Sequence, residues 1–271
     1  MPQHNLREMR PMNHAQKNGY RDHQKTFSSP ATKVAYDDEE KSHEILKHFH
    51  IIANQYDFMN TFLSLGIHHL WKRRAVKMTG LKENSFVIDV CGGTGDLARC
   101  AVRDMRYRGQ IILYDINSTM MRKGMEKIHK IGLEDHIHCV QGNAESLPFP
   151  SHLFDAAMIG FGIRNVTHRK VCLREIYRIL KPGGKFMCLE FSLPTASWFR
   201  SFYDFYSFKI IPLLGKYIAG SREAYRHLPE SIRQFPPPPA FTDMIRNAGF
   251  SDVSHTSMTN GIVVVYLGYK R

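Results

Sequence analysis

Long apolar runs are missing from this 271-residue chain. No stretch reaches the roughly 20 consecutive apolar residues that a membrane-spanning helix needs, so no such helix is predicted. The first 25 residues contain no apolar segment of the kind secretory signals carry, so export is not predicted either. Cysteine is sparse: there are five, at positions 91, 100, 139, 172 and 188, an odd number with no C-x-x-C pair. That pattern excludes a disulfide scaffold. It predicts free thiols in a reducing compartment, serving as small core residues, and no metal site. Acidic residues are few: 25 Asp and Glu stand against 37 Lys and Arg, a net charge of +12. The basic residues are scattered and accompany no nucleic-acid-binding signature, so no nucleic-acid partner is predicted. An anionic membrane surface stays open as a partner. Hydrophobic residues at 43% and charged residues at 23% fit an ordinary globular protein with one large domain, with or without a small addition. No internal repeat is visible.

Residues 1–35 are rich in His, Asn, Gln and Lys and carry no apolar periodicity. They predict a disordered basic arm reaching to about residue 40, with a mitochondrial transit peptide as the alternative. From 41 to 55, Ile45, Phe49 and Ile52 recur at helical spacing behind a Ser42 cap, and more helix is expected over 56–80 around Gly66 and Trp71. An alternation follows. Strands are predicted at 86–90, 110–115, 136–140, 155–159 and 185–190. Helices start at Leu97, run through Met120 and Ile128, and span 170–180 before the stop signal Lys-Pro-Gly-Gly184. Residues 198–218 are dense in aromatics. A helix over 241–248 precedes two strands at 251–259 and 262–269, which are separated by Asn260-Gly261, a hairpin turn signal. Strand–helix alternation predicts an α/β fold of Rossmann-like type: a doubly wound, mostly parallel sheet closed by a C-terminal antiparallel hairpin. That closure is associated with class I methyltransferases rather than dehydrogenases.

The segment Asp89-Val-Cys-Gly-Gly-Thr-Gly-Asp96 falls at the first strand-to-helix turn. Gly92, Gly93 and Gly95 allow a ligand close to the backbone, and open α/β sheets bind ligands at the carboxyl ends of their strands. Twenty residues after Gly95 stands Asp115, at the end of the second strand, where a carboxylate can take both ribose hydroxyls. Asn143, just past the third strand, has two readings: its amide meets an adenine edge, or it forms an Asx turn.

Two long strings, Tyr56-Asp-Phe-Met-Asn-Thr-Phe-Leu-Ser-Leu-Gly-Ile-His-His-Leu-Trp71 and Arg178-Ile-Leu-Lys-Pro-Gly-Gly-Lys-Phe-Met-Cys-Leu-Glu-Phe-Ser192, resemble the ubiquinone/menaquinone biosynthesis C-methyltransferase family. So do Phe161-Gly-Ile-Arg-Asn165, Tyr225-Arg-His-Leu-Pro-Glu-Ser-Ile232 and Asn247-Ala-Gly-Phe250; the resemblance covers residues 42 to 271. It implies a class I fold and S-adenosylmethionine as cofactor. The acceptor implied is a ring carbon of a prenylated benzoquinol or naphthoquinol. By position it implies Thr94, Asp115, Asn143 and Ala144 as cofactor contacts beside Asp89 and the glycine loop. Gly160 stands where the family often has serine, so only backbone serves there. Thr61 and His69 replace the commoner Asp and Arg. A methyltransferase domain is expected over 41–271, with a helical lid at 41–80 and an aromatic-rich insertion at 195–235 near the substrate.

Methyl transfer to a ring carbon needs the neighbouring hydroxyl ionised, hence a cation or a base near that oxygen. Arg164, after the fourth strand, is expected to stabilise the phenolate or position water, with a surface or salt-bridging arginine as the alternative. Asn165 either positions the ring oxygen or caps the next helix. Tyr56, Asp57, Asn60 and His68 are expected in the lid, with Asp57 or His68 as base. Tyr225 is expected to reach the pocket from the insertion. The aromatics of 198–218 read as a wall for the prenyl tail with peripheral membrane contact, or as core or a homodimer interface. Two rival classes are a dinucleotide oxidoreductase and a non-enzymatic scaffold with a relic cofactor site. No insertion separates the glycine loop from the second strand. The expected location is therefore a bacterial cytoplasm, at the inner face of the membrane, with the mitochondrial matrix as the alternative.

Overall fold

The computed structural model describes residues 56–214 and 222–271. The predicted arm (1–40) and the helix at 41–55 lie outside the described residues.

The elements run α1 (Tyr56–Leu63), α2 (Ile67–Thr79), β1 (Phe86–Val90), α3 (Asp96–Asp104), β2 (Gln110–Asp115), α4 (Ser118–Lys130), β3 (Ile137–Gln141) and β4 (Phe154–Gly160). A 3-10 turn (Ile163–Asn165) leads to α5 (Arg169–Ile179), β5 (Leu180–Phe191), α6 (Ser197–Phe205), a π-helical segment (Tyr206–Ile210), α7 (Arg222–Gln234), α8 (Pro238–Asn247), β6 (Ser251–Met258) and β7 (Val263–Tyr269). The seven-stranded sheet has the order β3-β2-β1-β4-β5-β7-β6. Strands β1 to β5 pair in parallel; β7 pairs antiparallel with β5 and with β6. The strand order reverses between β1 and β4. The crevice for a ligand therefore opens at their carboxyl ends, where Asp89 and Gly160 stand.

Parallel strands are covered on both faces, so β1 and β4 read as nearly continuous apolar runs. One core layer sets Val87, Leu113, Met158 and Val265 against Trp71, Ala75 and Val76 of α2 and Leu97 of α3. The other sets Ile88, Ala157 and Phe186 against Leu173 and Ile176 of α5 and Phe241 and Ile245 of α8. Each Val, Leu, Ile, Phe or Met among them contributes about 1.5–3 kcal/mol on burial.

The expected helix over 56–80 is two helices. Leu65 adopts φ 50° and Gly66 φ 77°, and the Gly66 N–H donates to Thr61 O at 2.7 Å. This Schellman-type stop ends α1, and α2 begins at the next residue. Lys-Pro-Gly-Gly184 does end α5, but inside a strand: Leu180 already pairs with Phe154, and Gly183 N–H donates to Lys270 O at 2.7 Å. The hairpin loop holds four residues rather than Asn-Gly alone. Thr259, Asn260 and Gly261 are all left-handed, because neighbours hold the loop: Trp71 Nε1 donates to Thr259 Oγ1 at 2.8 Å, and Thr195 N–H donates to Asn260 O at 2.9 Å.

A candidate cofactor pocket beside an apolar cavity

Asp89 enters the interior on β1 and is fully buried. Its Oδ2 accepts the Ala98 N–H at 3.0 Å, while its Oδ1 has no partner. Burial pushes its carboxyl up to about 7, outweighing the Ala98 N–H and the more distant Lys72, which favour the charged form. A Cβ on Gly92 would lie 3.0 Å from this carboxylate and from the Asp89 carbonyl oxygen, a tight approach that favours glycine. Gly93, at φ 54°, aims its N–H at Asp115 Oδ2 (2.8 Å), and Asn117 N–H serves Oδ1 at 2.7 Å. Burial raises the Asp115 carboxyl and these backbone donors oppose the rise. Each oxygen keeps a lone pair for a ligand hydroxyl.

These residues line a cavity of about 210 Å³, together with Thr94, Asn143, Ala144 and Gly160. Asn143 Oδ1 accepts the Glu145 N–H at 2.9 Å, so the Asx turn is made. The carboxamide NH2 stays available to the cavity, and the two sequence readings are compatible. At Gly160 a Cβ would lie 2.4 Å from Leu97 Cδ1. In this chain Leu97 occupies the space that a serine side chain there would enter.

A second cavity of about 430 Å³ adjoins the first; Phe161 and Lys72 line both. Its walls are mainly apolar and aromatic. Phe161 stacks on Phe191 at 4.3 Å between centroids, and Phe199, Phe202 and Tyr203 come from the aromatic stretch. Asn60, His68 and Arg164 also line it.

Arg164 is not a surface residue, being 7% exposed, but it does make the salt bridge of the alternative reading, to the wholly buried Glu190 (Nη1 to Oε1, 2.7 Å). Its Nη1 also donates to Phe161 O, and Glu190 further accepts the backbone N–H groups of Arg164 and Phe191. Arg164 Nε is buried without a partner. His68, also buried, has Nε2 3.3 Å from Thr61 Oγ1 and an unpartnered Nδ1. Burial, then the neighbouring Lys72, lower its pKa to about 4, so the ring is neutral at physiological pH.

Asp57 is placed elsewhere than the base reading needs. It lines neither cavity; its Oδ1 accepts the Thr94 hydroxyl at 2.8 Å, and its Oδ2 pairs with Lys127. Asn165 lines the smaller cavity and its Oδ1 lies 3.4 Å from His227 Nε2, a residue of the larger one. Tyr56 heads α1 and Tyr225 lies in α7, but their side chains fall outside the described residues.

Lys72, Glu190 and Phe161 were not singled out from the sequence. Glu190 ends the fifth strand at the sheet's carboxyl edge, a position that could have marked it; Lys72 follows Trp71 with no local signal. Among the described residues all five cysteines are free, no group of His, Cys, Asp or Glu could hold a metal ion, and no helix is long and apolar enough to cross a membrane.

Residues 36–270 match the model of the ubiE/COQ5 methyltransferase family. A ubiquinone/menaquinone biosynthesis C-methyltransferase of Pseudoalteromonas translucida is 43% identical over 247 residues, 91% of this chain and 98% of that protein. The protein of the same name from Francisella philomiragia is 44% identical over 246 residues, with the same coverage of 91% and 98%. Among solved structures, an S-adenosylmethionine-dependent methyltransferase from Thermotoga maritima superposes with TM-score 0.59 at 20% identity, covering 84% of this chain and all of that one. A Haemonchus contortus N-methyltransferase, solved with S-adenosylhomocysteine and phosphomonomethylethanolamine, gives TM-score 0.54 at 16% identity, over 73% and 52% of the two chains.

Proposed function

This chain belongs to the ubiE/COQ5 methyltransferase family, and from that membership we infer that it is an S-adenosylmethionine-dependent C-methyltransferase acting on a ring carbon of a prenylated benzoquinol or naphthoquinol in ubiquinone/menaquinone biosynthesis. The observation that carries the reading is the pair of cavities sharing the wall at Phe161 and Lys72: one polar with carboxylates, one apolar and twice the size. Neither rival class accounts for the apolar member. When bound, the cofactor supplies an electrophilic methyl to an electron-rich carbon. The smaller cavity suits it: the orphaned Asp89 Oδ1 matches an ammonium, Asp115 two hydroxyls, and the glycine loop a close backbone approach. Asn143, Ala144 and the Gly160 backbone are assigned to the adenine side, and Thr94 to the loop contact.

We assign the ring oxygen to Arg164 through its partnerless Nε, and proton acceptance to His68, whose ring is neutral at physiological pH and whose Nδ1 has no partner. A phenol near 10 and a base near 4 are badly matched, so the guanidinium has to lower the hydroxyl's pKa for the proton to move. Phe161 and Phe191 hold the ring and keep water out. Asn60 and Asn165 orient the acceptor; the roles given to Tyr56 and Tyr225 rest on the family resemblance. Asp57 acts by holding the lid, not as a base.

The domain extends over 41–271, with the lid at 41–80 and the insertion at 195–235. Exposed apolar side chains crowd α1, α6 and their loops: Leu65 is 93% exposed, Trp198 76% and Phe202 61%. Leu65 and Phe202 also line the larger cavity, which supports a prenyl tail leaving there toward a membrane surface, with the net charge of +12 assisting. The expected location is the cytoplasm at the inner membrane face, with the mitochondrial matrix as the alternative; a homodimer covering the same face is the competing explanation.

The experiment is methyl transfer to reduced demethyl-quinones, read by mass spectrometry. A methylated ring supports the assignment, and labelled cofactor without any methylated quinol overturns the acceptor. Flotation with anionic liposomes tests the patch, and a dimer in solution that fails to float points to the homodimer.

A further inference from the structure

The cofactor cavity is lined by three carboxylates, Asp89, Asp96 and Asp115, and among the described residues that line it there is one cation, Lys72. Lys72 lies on α2, is 7% exposed, and places Nζ 2.6 Å from Asp96 Oδ2. An ammonium has three donors, and this contact uses one. Asp96 does not depend on it: Arg99 Nη2 also pairs with Asp96, and Lys127 Nζ lies 3.8 Å away. The pairs link Lys72, Arg99 and Lys127 to Asp57 and Asp96, so Asp96 keeps cationic partners when Lys72 turns to a ligand. Among the described residues that line the cavity, Lys72 is the one group that can meet a ligand's carboxylate with the opposite charge.

The cofactor's amino-acid end offers one ammonium and one carboxylate. The ammonium fits the orphaned Asp89 Oδ1. We propose that Lys72 is the receptor for the cofactor's carboxylate; this rests on the methyltransferase reading above. The consequence concerns α2. The same helix brings His68 and Trp71 to the larger cavity, so the contact that holds the cofactor also sets the face that frames the acceptor. Lys72 is a cofactor-binding residue that positions the acceptor side through its own helix.

The test is calorimetry with two ligands, S-adenosylhomocysteine and 5′-methylthioadenosine. They share adenosine and thioether; only the first has the amino-acid end. Lys72→Met keeps the aliphatic stem and removes the charge. It is expected to weaken S-adenosylhomocysteine by about 10- to 100-fold, the range for a hydrogen-bonded charge, and to leave methylthioadenosine within about twofold of wild type, the scatter expected when no contact is lost. Lys72→Arg is expected to recover most of the lost affinity. If Lys72→Met does not fold, Lys72→Gln, which keeps a donor for Asp96, carries the same comparison. Equal loss for both ligands, or unchanged S-adenosylhomocysteine affinity, overturns the proposal and leaves the methyltransferase reading standing. Wild-type protein that binds neither ligand overturns both.

Discussion

Asp57 accepts the hydroxyl hydrogen of Thr94 at 2.8 Å, so the first described helix is tied directly to the glycine loop. The two residues are 37 apart in the chain, and Asp57 reaches on to Lys127 of α4. One carboxylate thereby joins the lid, the loop and the helix behind it. Asp57→Asn keeps an acceptor for Thr94 but loses the ion pair. Because these groups are partly exposed, the change is small, within about 1 kcal/mol. We expect S-adenosylhomocysteine affinity to fall less than tenfold and amide exchange in α1 to rise. Unchanged exchange in α1 would show that the tie does not hold the lid.

Arg164 and Glu190 form a buried pair, so removing one partner strands the other. Arg164→Ala is expected to cost about 3–5 kcal/mol of stability, mostly from the uncompensated Glu190 carboxylate. Adding Glu190→Gln is expected to restore much of that stability without restoring turnover. Urea unfolding of the single and double variants, with turnover in parallel, checks this. Cofactor affinity should stay near wild type in both; a large loss of affinity in Arg164→Ala would remove the arginine from the acceptor side.

His68 and Asp89 titrate in opposite senses. His68 has a folded pKa near 4, below the usual value, so the unfolded chain binds a proton that the folded one refuses. Its contribution to stability is present above about 6.5 and is lost as pH falls toward 4. His68→Asn is expected to flatten that loss while reducing turnover. Asp89, at about 7, is favoured protonated, so its burial weakens the fold as pH rises from about 4 through 7. Asp89→Asn is therefore expected to be more stable than wild type at pH 8 and to bind S-adenosylhomocysteine more weakly. Stability measured at pH 5 and pH 8 for both variants separates the two groups, and a less stable Asp89→Asn at pH 8 counts against an unbalanced carboxylate.

Gly160→Ser is expected to lower stability by about 1–3 kcal/mol, since its Cβ would lie 2.4 Å from Leu97 Cδ1. Leu97→Val in the same chain is expected to relieve part of this. Thermal unfolding of the two single variants and the double variant gives the coupling; strictly additive losses would mean that Leu97 does not decide the residue at 160.

Much of the fold was legible because its signals are local. The run 86–90 is apolar and β-branched, so it is a strand, and its buried Asp89 followed by glycines marks the ligand turn whatever surrounds it. Asp115 was legible because it too ends a strand. The loop at 259–262 was not: Asn-Gly alone suggests a two-residue turn, and only the distant Trp71 and Thr195 hold four residues there. The two helices replacing one over 56–80 turn on Leu65, a residue whose left-handed backbone has no signal in its side chain.

The sequence by itself determined the strand–helix alternation, the glycine turn, the ribose-side carboxylate and the family strings, because each depends on residues close together in the chain. Tertiary structure alone decided which charges meet. Lys72 with Asp96, Arg164 with Glu190 and Asp57 with Thr94 lie 24, 26 and 37 residues apart. The crossovers of the sheet bring them to one edge. Burial then changes what some groups are, making His68 neutral and raising the Asp89 carboxyl to about 7.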